Sequence, residues 1–156
     1  MKNQFTETGI DLDQAVAFWV QRVYQVSRAT MYRRFGAVGV DLTPEQWMVL
    51  VRLWEREGRS QNELCESTLR DRPTMSRILD GMEARGLVAR QTDPEDSRTR
   101  LVTLTAKGKQ LRGKLLPVVR EMVAELEAGI GEDDLVTTRR TLQRIFQNLE
   151  GYLAPR

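Results

Sequence analysis

Between Leu87 and Leu104 two short stretches, Leu87-Val88-Ala89-Arg90-Gln91-Thr92 and Arg100-Leu101-Val102-Thr103-Leu104, flank a charged turn in a chain whose other segments repeat at helical spacing. Each has the length and β-branched content of a strand. Asp93-Pro94 begins the turn, because proline and the residue before it both resist helix. The chain therefore predicts one β-hairpin, and the rest of the fold must be built from helices around it.

The helices are marked by their starts and stops. Leu12 to Phe35 carries Leu12, Val16, Trp19, Val23, Val26 and Met31 at helical spacing, and Gly36 and Gly39 end it. Thr43-Pro44-Glu45-Gln46 opens the next helix: Thr43 caps, Pro44 suits the first helical position, and Gln46 completes a capping box. Trp47, Leu50, Val51 and Trp54 face a core up to a stop near Gly58. Ser60-Gln61-Asn62-Glu63 is a second capping box, opening a short helix through Leu64, Cys65 and Leu69. Asp71 or Arg72 caps a third, which Pro73 begins, Ile78, Leu79 and Met82 line inwardly, and Gly86 stops. Beyond the hairpin, Thr105 caps a long helix to about Gly129, and Pro117 is expected to bend or weaken it. The last helix, Glu132 to Leu153, repeats Leu135, Thr138, Leu142, Ile145, Leu149 and Leu153 at near-heptad spacing. Two short helices with a tight break and then a hairpin make a winged helix-turn-helix. The predicted fold class is mainly α with a small β-hairpin wing (α+β), flanked by N- and C-terminal helices.

Composition narrows the function. A chain of 156 residues with 40% hydrophobic and 29% charged residues is expected to bury a core and to form one domain, or one compact domain with an extension. There is no histidine and one cysteine, Cys65, which removes histidine-based nucleophile systems, cysteine-rich metal sites and intramolecular disulfides together. Neither an enzyme nor a cofactor-dependent protein is expected. No apolar run reaches membrane-spanning length and the N-terminus is too polar for a signal peptide, so a cytoplasmic protein without a membrane partner is expected. Net charge is only +2, but it is unevenly spread: Arg59 to Lys114 holds 12 Lys and Arg against 8 Asp and Glu. That asymmetry suits a central segment facing phosphates.

The run from Pro73 to Val88, containing Thr74-Met75-Ser76-Arg77 and Glu83-Ala84-Arg85-Gly86-Leu87, resembles the recognition-helix region of the multiple-antibiotic-resistance regulator (MarR) family. Asp96-Ser97-Arg98, followed by Leu101-Val102-Thr103-Leu104-Thr105-Ala106-Lys107-Gly108, is similar to that family's wing and wing exit. The resemblance is close over Thr43 to Gly108, while the flanking helices match in length and order only. It implies a homodimeric transcription factor, usually a repressor, whose DNA affinity is often reduced by a small aromatic ligand or by oxidation. In these terms residues 1–156 are one domain of that type, with a DNA-binding lobe at 42–108 and a helical dimerisation region at 10–36 and 109–154.

The residues support DNA binding by themselves. A major groove admits one helix, and its base edges call for short polar side chains or arginine from the first turns. Arg72, Thr74, Ser76 and Arg77 have that chemistry. At the hairpin tip Arg98 is expected to enter a narrow minor groove, with Asp96 holding its guanidinium through a charge-assisted pair. Arg100 is expected to meet a phosphate or pack back toward Asp93. Ser60, Gln61 and Asn62 can donate to the DNA backbone, which positions without specifying. A single helix and wing cover a half-site, so a homodimer on a palindromic operator is expected, its interface formed by the first and last helices.

Effectors in the family commonly lie between the dimer helices and the winged-helix lobe, and here Trp19, Tyr24, Met31, Trp47, Met48 and Trp54 are candidates to line such a space. Arg22 or Arg28 can pair with a carboxylate ligand, against the plainer reading of a solvated helix face. Cys65 lies in a core-facing pattern rather than at the start of the first helix, so a redox role is disfavoured. The alternative is a helical protein–protein interaction module without DNA binding, which leaves the recognition-helix string and the arginine wing unexplained.

Overall fold

The computed structural model describes residues 5–6 and 9–151, in two compact units that divide between Val119 and Arg120. The first unit begins with a two-residue ladder, β1 (Phe5–Thr6) against β2 (Gly9–Ile10), and a 3-10 turn at Leu12–Gln14. Its helices are α1 (Val16–Ala37), α2 (Pro44–Glu55), α3 (Gln61–Thr68) and α4 (Arg72–Ala84). The expected first helix is thus split at Ala15, the extended residue that caps α1.

The predicted hairpin is present as β4 (Val88–Thr92) and β5 (Arg100–Leu104), paired antiparallel from Val88 opposite Leu104 to Thr92 opposite Arg100. A third strand, β3 (Arg59–Ser60), joins the free edge of β5, giving the order β3-β5-β4. It pairs Arg59 with Val102 and Ser60 with Leu101. Two residues are too few for a period-2 pattern, so nothing in the sequence marks this strand.

Both capping boxes form. The Thr43 hydroxyl accepts from the Gln46 amide at 3.2 Å while Gln46 Oε1 accepts from the Thr43 amide at 3.2 Å. Ser60 and Glu63 do the same, at 3.2 Å and 2.7 Å. Of the two candidates for the third cap, Asp71 takes the position, its Oδ1 accepting from the Thr74 amide at 2.7 Å.

One apolar core holds the first unit together. Trp47, Val49, Leu50 and Leu53 of α2, Leu64 of α3 and Met75, Leu79 and Met82 of α4 meet Leu87, Val88, Val102 and Leu104 of the hairpin. Phe35 closes it from α1 and Leu115 from α5 (Ala106–Leu126). The inner stripe of α4 is therefore Met75-Leu79-Met82, the i, i+4, i+7 series, with Ile78 half-buried beside it. In α2 Val49, Leu50 and Leu53 are fully buried, and Val51 and Trp54 are half-buried. Cys65 is half-buried against the core, and burial pushes its thiol pKa up.

On α1 the outcome differs. Phe35 is its one fully buried residue, while Val16, Trp19, Val23 and Val26 remain exposed, as does Leu12 before it. α5 continues through Pro117, and Leu126 rather than Gly129 is its last residue. The second unit contains α6 (Glu132–Glu150), whose first turn carries Glu132, Asp133 and Asp134 where the helix dipole favours acids. No residue of α6 is fully buried, and Val136, Leu142, Phe146 and Leu149 are exposed. Leu153, expected on the same stripe, lies outside the described residues. No helix among the described residues is long and apolar enough to cross a membrane.

Candidate nucleic-acid interface

Three elements separated in sequence converge on one concavity of about 240 Å³. Ser60, Gln61 and Asn62 enter it from the start of α3, Arg72 from the start of α4, and Arg98, Thr99 and Arg100 from the wing. The β3–β5 ladder causes this meeting, since pairing Ser60 with Leu101 sets the first turn of α3 beside Arg100. Gln61 Nε2 donates to the Arg72 carbonyl at 3.5 Å, joining the starts of α3 and α4.

The charges in this concavity lack internal partners. Among the described residues, Arg72, Arg98 and Arg100 form no ion pair, and Arg77 donates only to the Pro73 carbonyl at 3.4 Å. Other arginines of the lobe are engaged. Arg52 and Arg59 pair with Glu55, Arg56 with Glu63, and Arg70 with Glu45. Arg85 donates to Gln46 and to the Asp41 carbonyl. Arg90, on β4, binds Asp80 at 2.5 Å and Glu83 at 2.6 Å, both on α4. That last cluster ties the wing to the helix, and the Arg90 hydrogen bonds hold the Glu83 carboxyl below its ordinary range. Apart from Arg85, whose partners are neutral, the arginines of the lobe that these contacts leave without a carboxylate are Arg72, Arg98 and Arg100 around the concavity and Arg77 on α4.

On α4, Arg77 is exposed and Thr74 and Ser76 are half-buried, all three on the turns that follow the Asp71 cap. Thr74 and Arg77 also line a shallow groove running back toward Tyr24 and Arg28. The wing departs from expectation at Asp96. Its Oδ1 accepts from the Arg98 backbone amide at 3.0 Å and its Oδ2 from the Thr99 hydroxyl at 2.9 Å. The carboxylate thus closes the turn and leaves the Arg98 guanidinium unpaired. Asx-type closure within two residues is a shorter-range contact than a reach to the end of an arginine, and it wins. Arg100 does not pack onto Asp93, whose Oδ1 instead accepts from the Glu95 amide at 2.8 Å.

A second feature is a cleft of about 260 Å³ beside α4, lined by Tyr24, Met31, Trp47 and Met48 and closed below by Met75 and Ile78. Arg28 lines it too; Trp19, Arg22 and Trp54 do not. The Trp19 indole donates to the Asp13 carbonyl at 2.9 Å, and Arg22 lies 5.4 Å over the Trp19 ring. Trp54 donates to the Gly108 carbonyl at 3.1 Å and packs edge-on against Trp47. Sequence reasoning passed over Glu45 and Arg70 at the rim of this cleft, because one reads as a helix-start acid and the other as a loop residue.

Comparison with known proteins agrees with this geometry. Residues 40–99 match the family model described as MarR family, and these residues hold the whole of α2, α3, α4 and β4. A solved structure of a probable transcriptional regulator from Pseudomonas aeruginosa is 31% identical, with a TM-score of 0.76 over 86% of this chain and 98% of that one. The chain belongs to the MarR family.

Two curated relatives are similar over shorter spans. The transcriptional regulator HosA of Escherichia coli O111:H- is 37% identical over 78 residues, half of this chain. The HTH-type transcriptional regulator TtmR of Methylorubrum extorquens is 36% identical over 120 residues, 73% of this chain. The matches span 58% and 60% of those relatives' own lengths. The transcriptional repressor CouR bound to a 23-mer DNA duplex superposes with a TM-score of 0.78 at 26% identity, over 86% of this chain and 94% of that one. CouR from Rhodococcus jostii RHA1 bound to p-coumaroyl-CoA superposes at 0.76 with 28% identity, over 86% and 93%.

Proposed function

We propose that this MarR-family chain is a homodimeric transcriptional repressor, working in the cytoplasm, that binds a palindromic operator and is released by a small aromatic or phenolic effector. The carrying observation is the set of unpaired arginines, Arg72, Arg98 and Arg100, gathered with Ser60, Gln61 and Asn62 around one concavity. An unpaired cationic face between a helix start and a wing is what a phosphate backbone requires. In this reading α4 enters the major groove, with Thr74, Ser76 and Arg77 toward base edges. Arg98 enters the flanking minor groove. The DNA-bound form of CouR, a structural neighbour, supports this assignment.

Residues 42–108 then form the DNA-binding lobe, and residues 10–36 and 109–154 the dimerisation region. Exposed apolar residues on both sets of helices favour a dimer: Val16, Val20 and Val23 on α1, and Val136, Leu142 and Phe146 on α6. Tyr24, Trp47 and Met48 are assigned to effector binding, while Trp19 and Arg22, which lie outside the cleft, are not. The test is a gel shift on the DNA flanking the protein's own gene. Tight binding to an inverted repeat there, lost when the repeat is scrambled, is the expected result. Equal binding to both duplexes would overturn the reading.

A further inference from the structure

The C-terminal end of α4 is held by contacts outside the apolar core. Arg85, the residue that closes the helix, sends its guanidinium across to the start of α2: Nη1 donates to Gln46 Oε1 at 3.0 Å and Nη2 to the Asp41 carbonyl. Its own carbonyl accepts from Lys107 Nζ at 2.9 Å, at the start of α5. Both side-chain acceptors are neutral, and they lie at the positive end of the α2 dipole, where a cation gains nothing. What the guanidinium supplies there is two donors at a fixed angle. Gln46 is fixed in turn. The same Oε1 accepts from the Thr43 amide at 3.2 Å, and Nε2 lies 3.5 Å from where a Cβ at Gly81 of α4 would stand. Asp41 leads on to α1, since its Oδ1 accepts from the Tyr32 hydroxyl at 3.3 Å. At the other end of α4, Gln61 Nε2 meets the Arg72 carbonyl at 3.5 Å, a longer hydrogen bond.

We infer that Arg85, bracketed by Gln46 and Asp41, is a positioning residue that sets the spacing between the two half-sites this protein accepts. Between its ends α4 meets the core through Met75, Leu79 and Met82. Apolar packing is non-directional, and methionine side chains adapt to small displacements. The core therefore fixes how deep α4 sits, while the bracket fixes its tilt. A helix of 13 residues is roughly 20 Å long, so a swing of ~10° about its end carries its first turn about 3 Å, close to one base-pair step of a duplex. That first turn and the next carry Arg72, Thr74, Ser76 and Arg77. Through Asp41 and Tyr32 the bracket also ties the helix to α1, whose exposed apolar side chains are assigned to the dimer. In a dimer the tilt acts twice, once in each half-site. Loosening the bracket leaves the contacts within each half-site intact and relaxes the distance between them.

The assignment of Arg85 rests on the proposed homodimer and palindromic operator. The test is selection from a pool of random-sequence duplexes by the full chain, then competition gel shifts on the recovered repeat with one base pair added or removed between half-sites. The parent should recover one half-site sequence at one spacing and prefer it roughly tenfold over its neighbours. Arg85→Met and Gln46→Ala should recover the same half-site sequence at several spacings, with the preference cut to about twofold. Gln46→Glu keeps the acceptor oxygens and should behave as the parent. Thr43→Ala is the control for lost stability. It removes the other half of the capping box, leaves Gln46 Oε1 on the Thr43 amide and on Arg85, and should keep the parent's spacing. The parent's single spacing in both Arg85→Met and Gln46→Ala overturns the assignment and leaves the operator reading standing. So does relaxed spacing in Thr43→Ala, or a variant that melts as a folded protein yet selects no sequence. Where one of the two bracket variants fails to fold, the other decides; if neither folds, the contacts are structural and the assignment falls. If the parent itself recovers unpaired half-sites, the palindromic reading fails and the assignment with it.

Discussion

At the scale of single residues, the wing separates reading from gripping. The Arg98 guanidinium has no internal partner, so its removal takes away only the role proposed for it on DNA. Arg98→Ala should weaken binding to every operator variant, most where the flanking minor groove is narrow and A·T-rich. Arg98→Lys should not restore it fully, because an ammonium is more strongly hydrated and lacks the planar fork. Losing a bidentate base contact such as that proposed for Arg77 should instead cost about 1–3 kcal/mol and relax preference at one position of each half-site. A panel of operators mutated in the half-site or in the flanks distinguishes the two patterns. Asp96 makes a separate prediction. The Arg98 amide and then the Thr99 hydroxyl, donating to its charged form, hold its carboxyl below the ordinary range. A depressed carboxylate stabilises the turn above its unfolded pKa of about 4 and loses that effect as pH falls through the lower folded value. The Arg98 amide resonance should therefore stay fixed through neutral pH and move only on the acid side. Asp96→Asn should abolish that movement; an unchanged acid titration in the variant would refute the assignment.

At the scale of elements, the junction of wing and α5 is the least tolerant. The Thr105 hydroxyl donates to the Gly86 carbonyl at 2.6 Å and accepts from the Gly108 amide at 3.1 Å. Gly108 is pressed so closely on Leu87, the residue before β4, that a Cβ would run into the Leu87 carbonyl oxygen and lie 3.1 Å from Leu104 Cδ2. Neither backbone can give way without breaking the Thr105 amide's bond to the same Leu87 oxygen. Gly113, five residues on in the same helix, has nothing within 4 Å of such a Cβ. The two glycines should therefore respond in opposite directions. Gly113→Ala should stabilise by roughly 0.5–1 kcal/mol through lower backbone entropy in the unfolded chain. Gly108→Ala should destabilise despite the same gain in helix propensity. Thermal melts of both variants check this, and a Gly108→Ala melt at or above the parent's would show that the junction is looser than described. Thr43→Ala, which removes half of a formed capping box, should cost about 1 kcal/mol in the same assay.

At the scale of the whole molecule, the proposed function depends on joining two half-sites. If each protomer brings Arg72 and Arg100 to phosphates and sets Arg77 and Arg98 into the grooves between them, affinity should drop steeply with salt. For 6–10 contacts per dimer the fall is roughly 10³–10⁵ between 50 and 200 mM. A flat dependence would argue against DNA as the main partner. Charged replacements at Leu142 and Ile145 of α6 should disrupt the dimer and abolish tight operator binding together. Leu142 is exposed and Ile145 half-buried, so the first change is the cleaner of the two. Light scattering that still reports dimers after it would move the interface to other helices.

The parts of this protein legible in its sequence are those written over three to five neighbouring residues. The two capping boxes, the turn at Asp93-Pro94 and the Asp71-Arg72-Pro73 start of α4 depend on contacts between close neighbours, the hairpin strands are marked by short runs of strand-forming residues beside that turn, and each is present. The residue types at the start of α4 and at the wing tip carried the family resemblance for the same reason. What tertiary structure decided lies across longer separations. No local pattern marks the Arg59–Ser60 strand, because its partners Val102 and Leu101 are some forty residues away. That pairing gathers Ser60, Arg72 and Arg100 around one concavity. The phase of α4 is likewise set from outside: Met75 rather than Ile78 faces inward because the floor it meets is built from α2, α3 and the hairpin. Arg28, Glu45 and Arg70 belong to three segments, and only their packing turns two surface arginines and a helix-start acid into the rim of a cleft. Local hydrogen bonding can be read along a chain; which charges end up unpaired depends on what folding brings beside them.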